Sequence, residues 1–168
     1  DSDVVIHFIK GGCLSLLPDI LPAYQFAILD LVLDMELRKN PQTCRQIDNH
    51  LRILKNIEVL CWNPDYEMIN EYNVLAQTLG IGESASMIYC KYHPNILASS
   101  NLRDIKSYCE QNRITYLSTM DLLFLAYRQK VMTEQECDEF IADVLRLGSK
   151  LPVRKLSLFI PRTEVLSL

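Results

Sequence analysis

The sequence predicts an α/β protein with a parallel sheet. Four short runs rich in branched and apolar residues have the composition of buried strands, namely 26–29, 57–60, 95–98 and 114–117. Segments in which apolar residues recur at helical spacing separate these runs. Strands that alternate with helices form βα units, and such units place their strands in parallel.

The opening run, residues 4–9, fits two kinds of element. Its valines and isoleucines have strand propensity. Alternatively, Asp1 or Ser2 caps a helix in which Val5, Phe8 and Ile9 face inward.

Helical periodicity is clearest in three later segments. Capping boxes are predicted for the first at Thr43 with Gln46 and for the third at Thr133 with Glu136. The apolar faces consist of Cys44, Ile47, Leu51 and Leu54; of Met68, Ile69, Tyr72, Leu75, Ala76 and Leu79; and of Cys137, Phe140, Ile141, Val144 and Leu145.

The chain of 168 residues has the length of one domain, and its net charge of −4 excludes a uniformly basic protein that coats nucleic acid. Basic residues concentrate near the C-terminus. We therefore divide the chain into a domain, 1–148, and a basic and hydrophobic extension, 149–168. Within the extension, 156–160 is predicted to be an edge strand or a segment that binds a partner.

The six cysteines show no CxxC pair, which argues against a structural zinc site and favours reduced thiols in an intracellular protein. No apolar run approaches the roughly 18 residues of a membrane-spanning helix. The first residues carry no basic stretch typical of a secretory signal. These features predict a cytoplasmic protein without a membrane partner.

Three carboxylates occupy positions where α/β proteins bind ligands. Asp1 opens the sequence, Glu36 lies on the helix after the first predicted strand, and Glu83 begins a helix of small residues. Ligands of parallel sheets bind beyond the carboxyl ends of the strands. Carboxylates gathered there repel one another unless a cation binds, and Mg²⁺ and Mn²⁺ prefer oxygen ligands. A metal site is therefore one interpretation of these acids, and a solvated surface is the other.

An ordered set of motifs resembles that of the PIN domain family. Residues 1–6 (DSDVVI) are similar to its opening motif, in which an Asp and a small hydroxyl residue precede aliphatic residues. The second, third and fourth motifs and the last strand with its helix have their counterparts at 14–18 with 34–37, at 82–87, at 98–105 and at 114–125. The likeness covers about residues 1–130 in the family's order.

This resemblance implies a three-layer α/β/α sandwich with a central parallel sheet and a ribonuclease that depends on Mg²⁺ or Mn²⁺. Asp1, Glu36 and Glu83 would be its metal-binding and catalytic acids. The opening run would then be a helix. A family strand precedes the first Asp, so the resemblance also implies a central strand upstream of Asp1.

The fourth acidic motif is degenerate. Ser99, Ser100 and Asn101 stand at its position, where they can orient a metal-bound water but bring no charge. Asp104 or Asp121 is a candidate substitute. The loss of one carboxylate weakens the expectation of catalysis more than the expectation of the fold.

The leading hypothesis is a metal-dependent endoribonuclease that hydrolyses RNA phosphodiesters, as the toxin of a bacterial toxin–antitoxin pair. Its predicted partners are RNA, an antitoxin protein and further copies of the chain. The alternative is a PIN-like module that binds RNA or a protein without cleavage. Candidate contacts to RNA phosphates are Arg38, Lys39, Arg103 and Lys106.

Overall fold

The computed structural model describes residues 1–167, which form a mixed α/β fold with short parallel strands. The first half of the chain begins with a helix and alternates helices with two strands. Its elements are α1 (Ser2–Lys10), a 3₁₀ turn (Leu14–Leu16), α2 (Leu17–Ile20), β1 (Ala27–Leu29), α3 (Asp30–Val32) with a π turn (Leu33–Leu37), α4 (Pro41–Asn49) with a π turn (His50–Leu54), and β2 (Glu58–Leu60).

The second half is mostly helical. Its elements are α5 (Tyr66–Leu75), α6 (Ile81–Tyr92), β3 (Leu97–Ala98), α7 (Leu102–Asn112), β4 (Tyr116–Leu117), α8 (Thr119–Arg128), α9 (Glu134–Arg146), a 3₁₀ turn (Leu156–Leu158) and α10 (Thr163–Leu166).

The four predicted strands are present, each shorter than the run that predicted it. They form two separate parallel pairs. Strand β1 pairs with β2 in the register Ala27↔Glu58, and β3 pairs with β4 in the register Leu97↔Tyr116. The prediction of an α/β fold with parallel pairing is thus confirmed, while the described strands do not join into one central sheet.

The opening run is a helix, so the second of the two interpretations, a helix capped by Asp1 or Ser2, is confirmed. The Asp1 Oδ1 atom accepts a hydrogen bond from the Ser2 amide and caps α1. Val4 and Phe8 are buried in the main core, where the Phe8 ring meets Phe140 of α9 edge-on at 5.0 Å between centroids. Burial of this helical face outweighs the weaker strand propensity of the valines.

The prediction of which α1 residues face the core is only partly right. Phe8 is buried as predicted, whereas Val5 and Ile9 are only partly buried and Val4 takes the inward position.

Two predicted helix starts have different outcomes. The capping box of Thr133 and Glu136 is present at α9. The box predicted at Thr43 is wrong, because α4 begins earlier, with Asn40 as its cap and Pro41 in its first turn. The Asn40 side chain accepts bonds from the amides of residues 42 and 43, so the helix is capped three residues before Thr43, which lies inside it.

The C-terminal extension packs on the domain. Leu156 and Val165 are buried in the main core. The strand predicted at 156–160 is wrong, because this segment contains a 3₁₀ turn and the Leu156 amide donates to Asp138 Oδ1 at 2.7 Å rather than to another strand. Within residues 1–167, no helix is long and apolar enough to cross a bilayer.

We expect Gly11→Ala to destabilise the protein by about 1–3 kcal/mol, because a Cβ atom there would overlap the Phe140 ring. Unfolding in urea measures the loss. The double variant with Phe140→Leu should lose less than the sum of the two single variants. Strictly additive losses would contradict a contact between these positions.

Candidate functional site

Five carboxylates from distant parts of the chain surround one region, which we call the acidic pole: Asp1, Asp3, Glu36, Glu83 and Asp104. The charges of Asp104, Asp3 and Glu36 act on the Glu83 carboxyl, and those of Asp3, Glu36 and Glu83 act on the amino group of Asp1. Folding therefore brings the three predicted acids into one neighbourhood, and Asp3 and Asp104 join them.

Asp1 is fixed from both sides of its carboxylate. While Oδ1 caps α1, Oδ2 accepts a hydrogen bond from Ser99 Oγ at 2.9 Å. The Asp1 nitrogen donates to the Ala98 carbonyl at 3.0 Å. These bonds tie the start of α1 to the carboxyl end of β3, where Ser99 follows the strand.

Glu36 is held by α1 and α6. Its Oε2 atom accepts a hydrogen bond from Ser2 Oγ, and its Oε1 atom accepts one from the Gly82 amide at 3.0 Å. A Cβ atom at Gly82 would collide with the Glu36 carboxylate, so only glycine allows this backbone contact. Glu36 lies in the π turn after α3, on the helix that follows the first strand, as predicted.

Glu83 is buried in the first turn of α6. Burial, and after it the charges of Asp104, Asp3 and Glu36, raise its pKa from 4.5 to about 7, while the Asn101 side chain acts in the opposite direction. A carboxyl with such a pKa gains from any cation that binds beside it.

The degenerate fourth position lies at the acidic pole. Ser99 bonds to Asp1, and the Ser100 amide donates to Asp3 Oδ2 at 2.8 Å. The side-chain amide of Asn101 donates to Asp104 Oδ2 at 2.7 Å. Asp104 therefore adds a negative charge near Glu83 that the fourth position itself lacks.

The second candidate for the missing acid, Asp121, is engaged elsewhere. It is buried, it forms a capping box with Ser118 at the start of α8, and it pairs with Arg162 of the extension at 3.0 Å. Its charge is not among those that act on Glu83.

Three side chains connect the acidic pole to the core. Thr119 Oγ1 lies 2.8 Å from His7 Nδ1 and 2.6 Å from Ser100 Oγ, and the Thr119 amide donates to Ser100 Oγ at 2.9 Å. His7 and Thr119 are both buried. Burial lowers the pKa of His7; the charge of Asp3 raises it and that of Lys10 lowers it.

The four predicted phosphate contacts are exposed side chains. Arg38 is paired with Asp34 at 2.6 Å and with Asp48 at 3.4 Å, and Lys106 lies 3.8 Å from Glu110. Within residues 1–167, Lys39 and Arg103 form no ion pair.

The donor set at the acidic pole fits a hard divalent cation in its chemistry, since every ligand candidate is an oxygen and no Lys or Arg of the described chain pairs with the five acids. In their present positions, no three His, Cys, Asp or Glu side chains of residues 1–167 form a metal-holding group. Like charges keep apart without a cation, and amide and hydroxyl donors hold Asp1, Asp3 and Glu36 individually.

Four further residues belong to this region although their sequence positions do not predict it: Asp3, Gly82, His7 and Thr119. The only signal for Asp3 was its place beside Asp1 in the opening motif, and the glycine signal lay next to Glu83. Nothing in the sequence relates His7 to Thr119, because 112 positions separate them.

Comparisons of the chain with models of protein families, with curated proteins and with solved structures find no match.

The raised pKa of Glu83 predicts how stability depends on pH. Between pH 4.5 and about 7, the unfolded chain has released this proton while the folded chain retains it, so the free energy of unfolding falls as the pH rises. We expect the ionisation of Glu83 to lower the free energy of unfolding by about 2–3 kcal/mol at pH 8 relative to pH 4.

Urea unfolding at several pH values measures this cost. Glu83→Gln should be more stable than the wild type at pH 8 and should lack this part of the pH dependence. Glu139→Gln, at an exposed position, should follow the wild type. An unchanged pH dependence in Glu83→Gln would show that Glu83 ionises normally.

Proposed function

We propose that the protein is a metal-dependent endoribonuclease of the PIN type. One observation carries this proposal: Asp1, Glu36 and Glu83, which come from three separate elements, bring oxygen donors to one pole of the fold, and no Lys or Arg of residues 1–167 pairs with them. A surplus of negative charge in a partly buried region is costly, which makes the pole a candidate functional site.

In this proposal, Asp1, Glu36 and Glu83 hold Mg²⁺ or Mn²⁺. When bound, such an ion would supply an activated water and charge stabilisation at the scissile phosphate of RNA. Ser99, Ser100 and Asn101 place hydroxyl and amide groups beside that water, and Asp104 adds charge. The exposed side chains of Lys39, Arg103 and Lys106 contact the RNA backbone, and Arg38 joins them once its pairs with Asp34 and Asp48 open.

A second candidate function is binding of RNA or of a protein without cleavage. The fourth position favours it, because it offers Ser99, Ser100 and Asn101 in place of a carboxylate. It is also favoured because, within residues 1–167, no three His, Cys, Asp or Glu side chains lie close enough together to hold a metal ion. Under this alternative the pole would bind a cation weakly and RNA would remain intact.

The role as a cytoplasmic bacterial toxin with an antitoxin partner rests on the resemblance to PIN domains. A homo-oligomer is supported by the extension, where Leu158 and Ile160 are 63% and 87% exposed. Apolar side chains that exposed are candidates for an interface with a further copy of the chain.

The nuclease proposal predicts Mn²⁺-dependent cleavage of single-stranded RNA. We expect the double variant Asp1→Asn, Glu83→Gln to lose at least about 100-fold of this activity, because it removes two of the three ligands. Asparagine retains the helix cap, so α1 should stay folded. A gel assay on end-labelled RNA measures cleavage.

Glu139→Gln is the control, since that side chain is exposed and lies on α9. Equal cleavage by the double variant and the control would refute the nuclease proposal. Binding of RNA without cleavage by the wild type would favour the second candidate.

We further propose that the two strand pairs belong to one central sheet in a three-layer sandwich. An apolar cleft of about 150 Å³ separates them; it is lined by β1 and β3, by Ser86 and Cys90 of α6, and by Asp1. The Leu97 amide donates to the Thr115 carbonyl just before β4, and the Ser99 amide donates to the Leu117 carbonyl in β4. Because alternate residues of a strand direct their amides and carbonyls to opposite sides, those of Ala98 point into the cleft.

The bond from the Asp1 nitrogen to the Ala98 carbonyl has the pattern of a parallel ladder. On the other side, the Glu58 amide donates to Phe26, so the same alternation directs the polar groups of Ala27 and Leu29 toward the cleft. An extended strand joined to the Asp1 nitrogen would therefore pair with both edges. Its residue two positions before Asp1 would accept from the Ala98 amide.

This arrangement predicts that an extension of five apolar, β-branched residues joined to Asp1 stabilises the protein. We expect the melting temperature to rise by about 5 °C or more, because the extension fills the cleft and pairs two open edges. Amide exchange at Ala98, Ala27 and Leu29 should slow in parallel.

The matched control is the same extension with two residues replaced by proline, which cannot donate to a ladder. Equal melting temperatures and equal exchange rates for the two extensions would contradict a strand in the cleft. This experiment is independent of RNA cleavage.

A further inference from the structure

The side chains of His7, Thr119 and Ser100 form a row of hydrogen bonds. The number of protons in this row limits the directions that its hydrogen bonds can take. Thr119 Oγ1 has one proton and two neighbours, His7 Nδ1 and Ser100 Oγ. Thr119 is buried and its hydroxyl has no third hydrogen-bond partner among residues 1–167, so it donates its proton to one of these two atoms and accepts from the other. The row therefore has only two complete arrangements, and each one fixes the direction of every bond in it.

In the first arrangement, which we call outward donation, His7 Nδ1 carries a proton and donates to Thr119, and Thr119 donates to Ser100. Ser100 Oγ then accepts twice, from the Thr119 hydroxyl and from the Thr119 amide. Its own proton is left free for a group outside the row, at a residue whose amide already donates to Asp3 Oδ2 of the acidic pole.

In the second arrangement, which we call outward acceptance, the ring proton of His7 is on Nε2. Thr119 then donates to Nδ1, and Ser100 donates to Thr119. Ser100 Oγ accepts only from the Thr119 amide, so one lone pair remains free to face the acidic pole.

We propose that His7 and Thr119 are positioning residues that switch Ser100 between outward donation and outward acceptance. The negative charge of Asp3, Glu83 and their neighbours favours outward donation while the pole holds no cation. A divalent cation reverses the preference, because it attracts a lone pair and repels a hydroxyl proton.

The switch gives the degenerate fourth position a chemical role. An oxygen with a free lone pair, held in a fixed direction, is a neutral substitute for a carboxylate ligand or for an acceptor of a proton from water. The neutral form of His7 suits this role, since it has one protonated and one unprotonated nitrogen. Burial lowers the pKa of His7 and so favours that form.

Part of this inference rests on the proposed cation site, and part does not. The coupling between Ser100 and His7 is a property of the row itself and exists without a cation. The response to a cation adds the proposed function. Two experiments separate these parts.

The first experiment uses no cation. In ¹⁵N NMR spectra of the wild type, we expect the His7 Nδ1 resonance in the range of a protonated ring nitrogen. In Ser100→Ala, Thr119 keeps only Nδ1 as an acceptor, so the proton should move to Nε2 and the Nδ1 resonance to the unprotonated range. Among the described residues no hydrogen bond joins Ser100 to His7, so a purely local role of Ser100 would leave the protonation of the two His7 nitrogens unchanged. That result would overturn the inference.

The second experiment titrates the wild type with Mg²⁺. We expect His7 to change from protonated Nδ1 to protonated Nε2 as the amides of the acidic pole respond. Thr119→Val keeps the shape of the side chain without its hydroxyl, and it should abolish the His7 response and weaken Mn²⁺ binding about tenfold in calorimetry. Thr119→Ser should restore both.

The outcomes distinguish the two proposals. Mg²⁺ that shifts the amides of the acidic pole but leaves His7 unchanged would refute the switch and leave the cation site standing. Mg²⁺ that shifts nothing at the pole would refute the cation site, and the Ser100→Ala comparison would then decide on the coupling alone.

Discussion

The packing of α1 against the core is the interaction on which the rest of the structure depends. Phe8 meets Phe140 of α9, and Val4 is buried beside them in the main core. This apolar contact fixes the rotation of the helix about its axis. The rotation of the helix in turn fixes the positions of the polar residues at its start. Asp1, Ser2 and Asp3 lie at the carboxyl end of β3.

From that single placement follow most contacts of the acidic pole. Asp1 accepts from Ser99, Ser2 donates to Glu36, and Asp3 accepts from the Ser100 amide. One turn further along α1, His7 meets Thr119. The helix thus links β3, the turn after α3 and the start of α8, and a rotation about its axis would break all four contacts together.

The acidic pole stores unfavourable electrostatic energy. Carboxylates placed close together in a partly buried region repel, and amide and hydroxyl donors compensate for only part of this repulsion. Glu83 shows this cost, since burial first and then the charges of Asp104, Asp3 and Glu36 raise its pKa to about 7. A region that retains such a cost while apolar packing could replace it is a reasonable place for cation chemistry, whether the cation serves cleavage or binding.

The sequence alone determined the order and type of most elements, because strand composition, helical periodicity and the cap at Thr133 are local properties that the fold preserved. It also indicated Glu36 on the helix after the first strand and Glu83 at the start of a helix. It could not decide between strand and helix for the opening run, since both were locally acceptable and only burial of Val4 and Phe8 separates them. Tertiary structure alone decided which acid accompanies Glu83, because Asp104 and Asp121 look equivalent in the sequence until Arg162 occupies one of them. The row from His7 to Ser100 was likewise decided by long-range packing, since its members attract one another only after the core has brought them within a hydrogen bond.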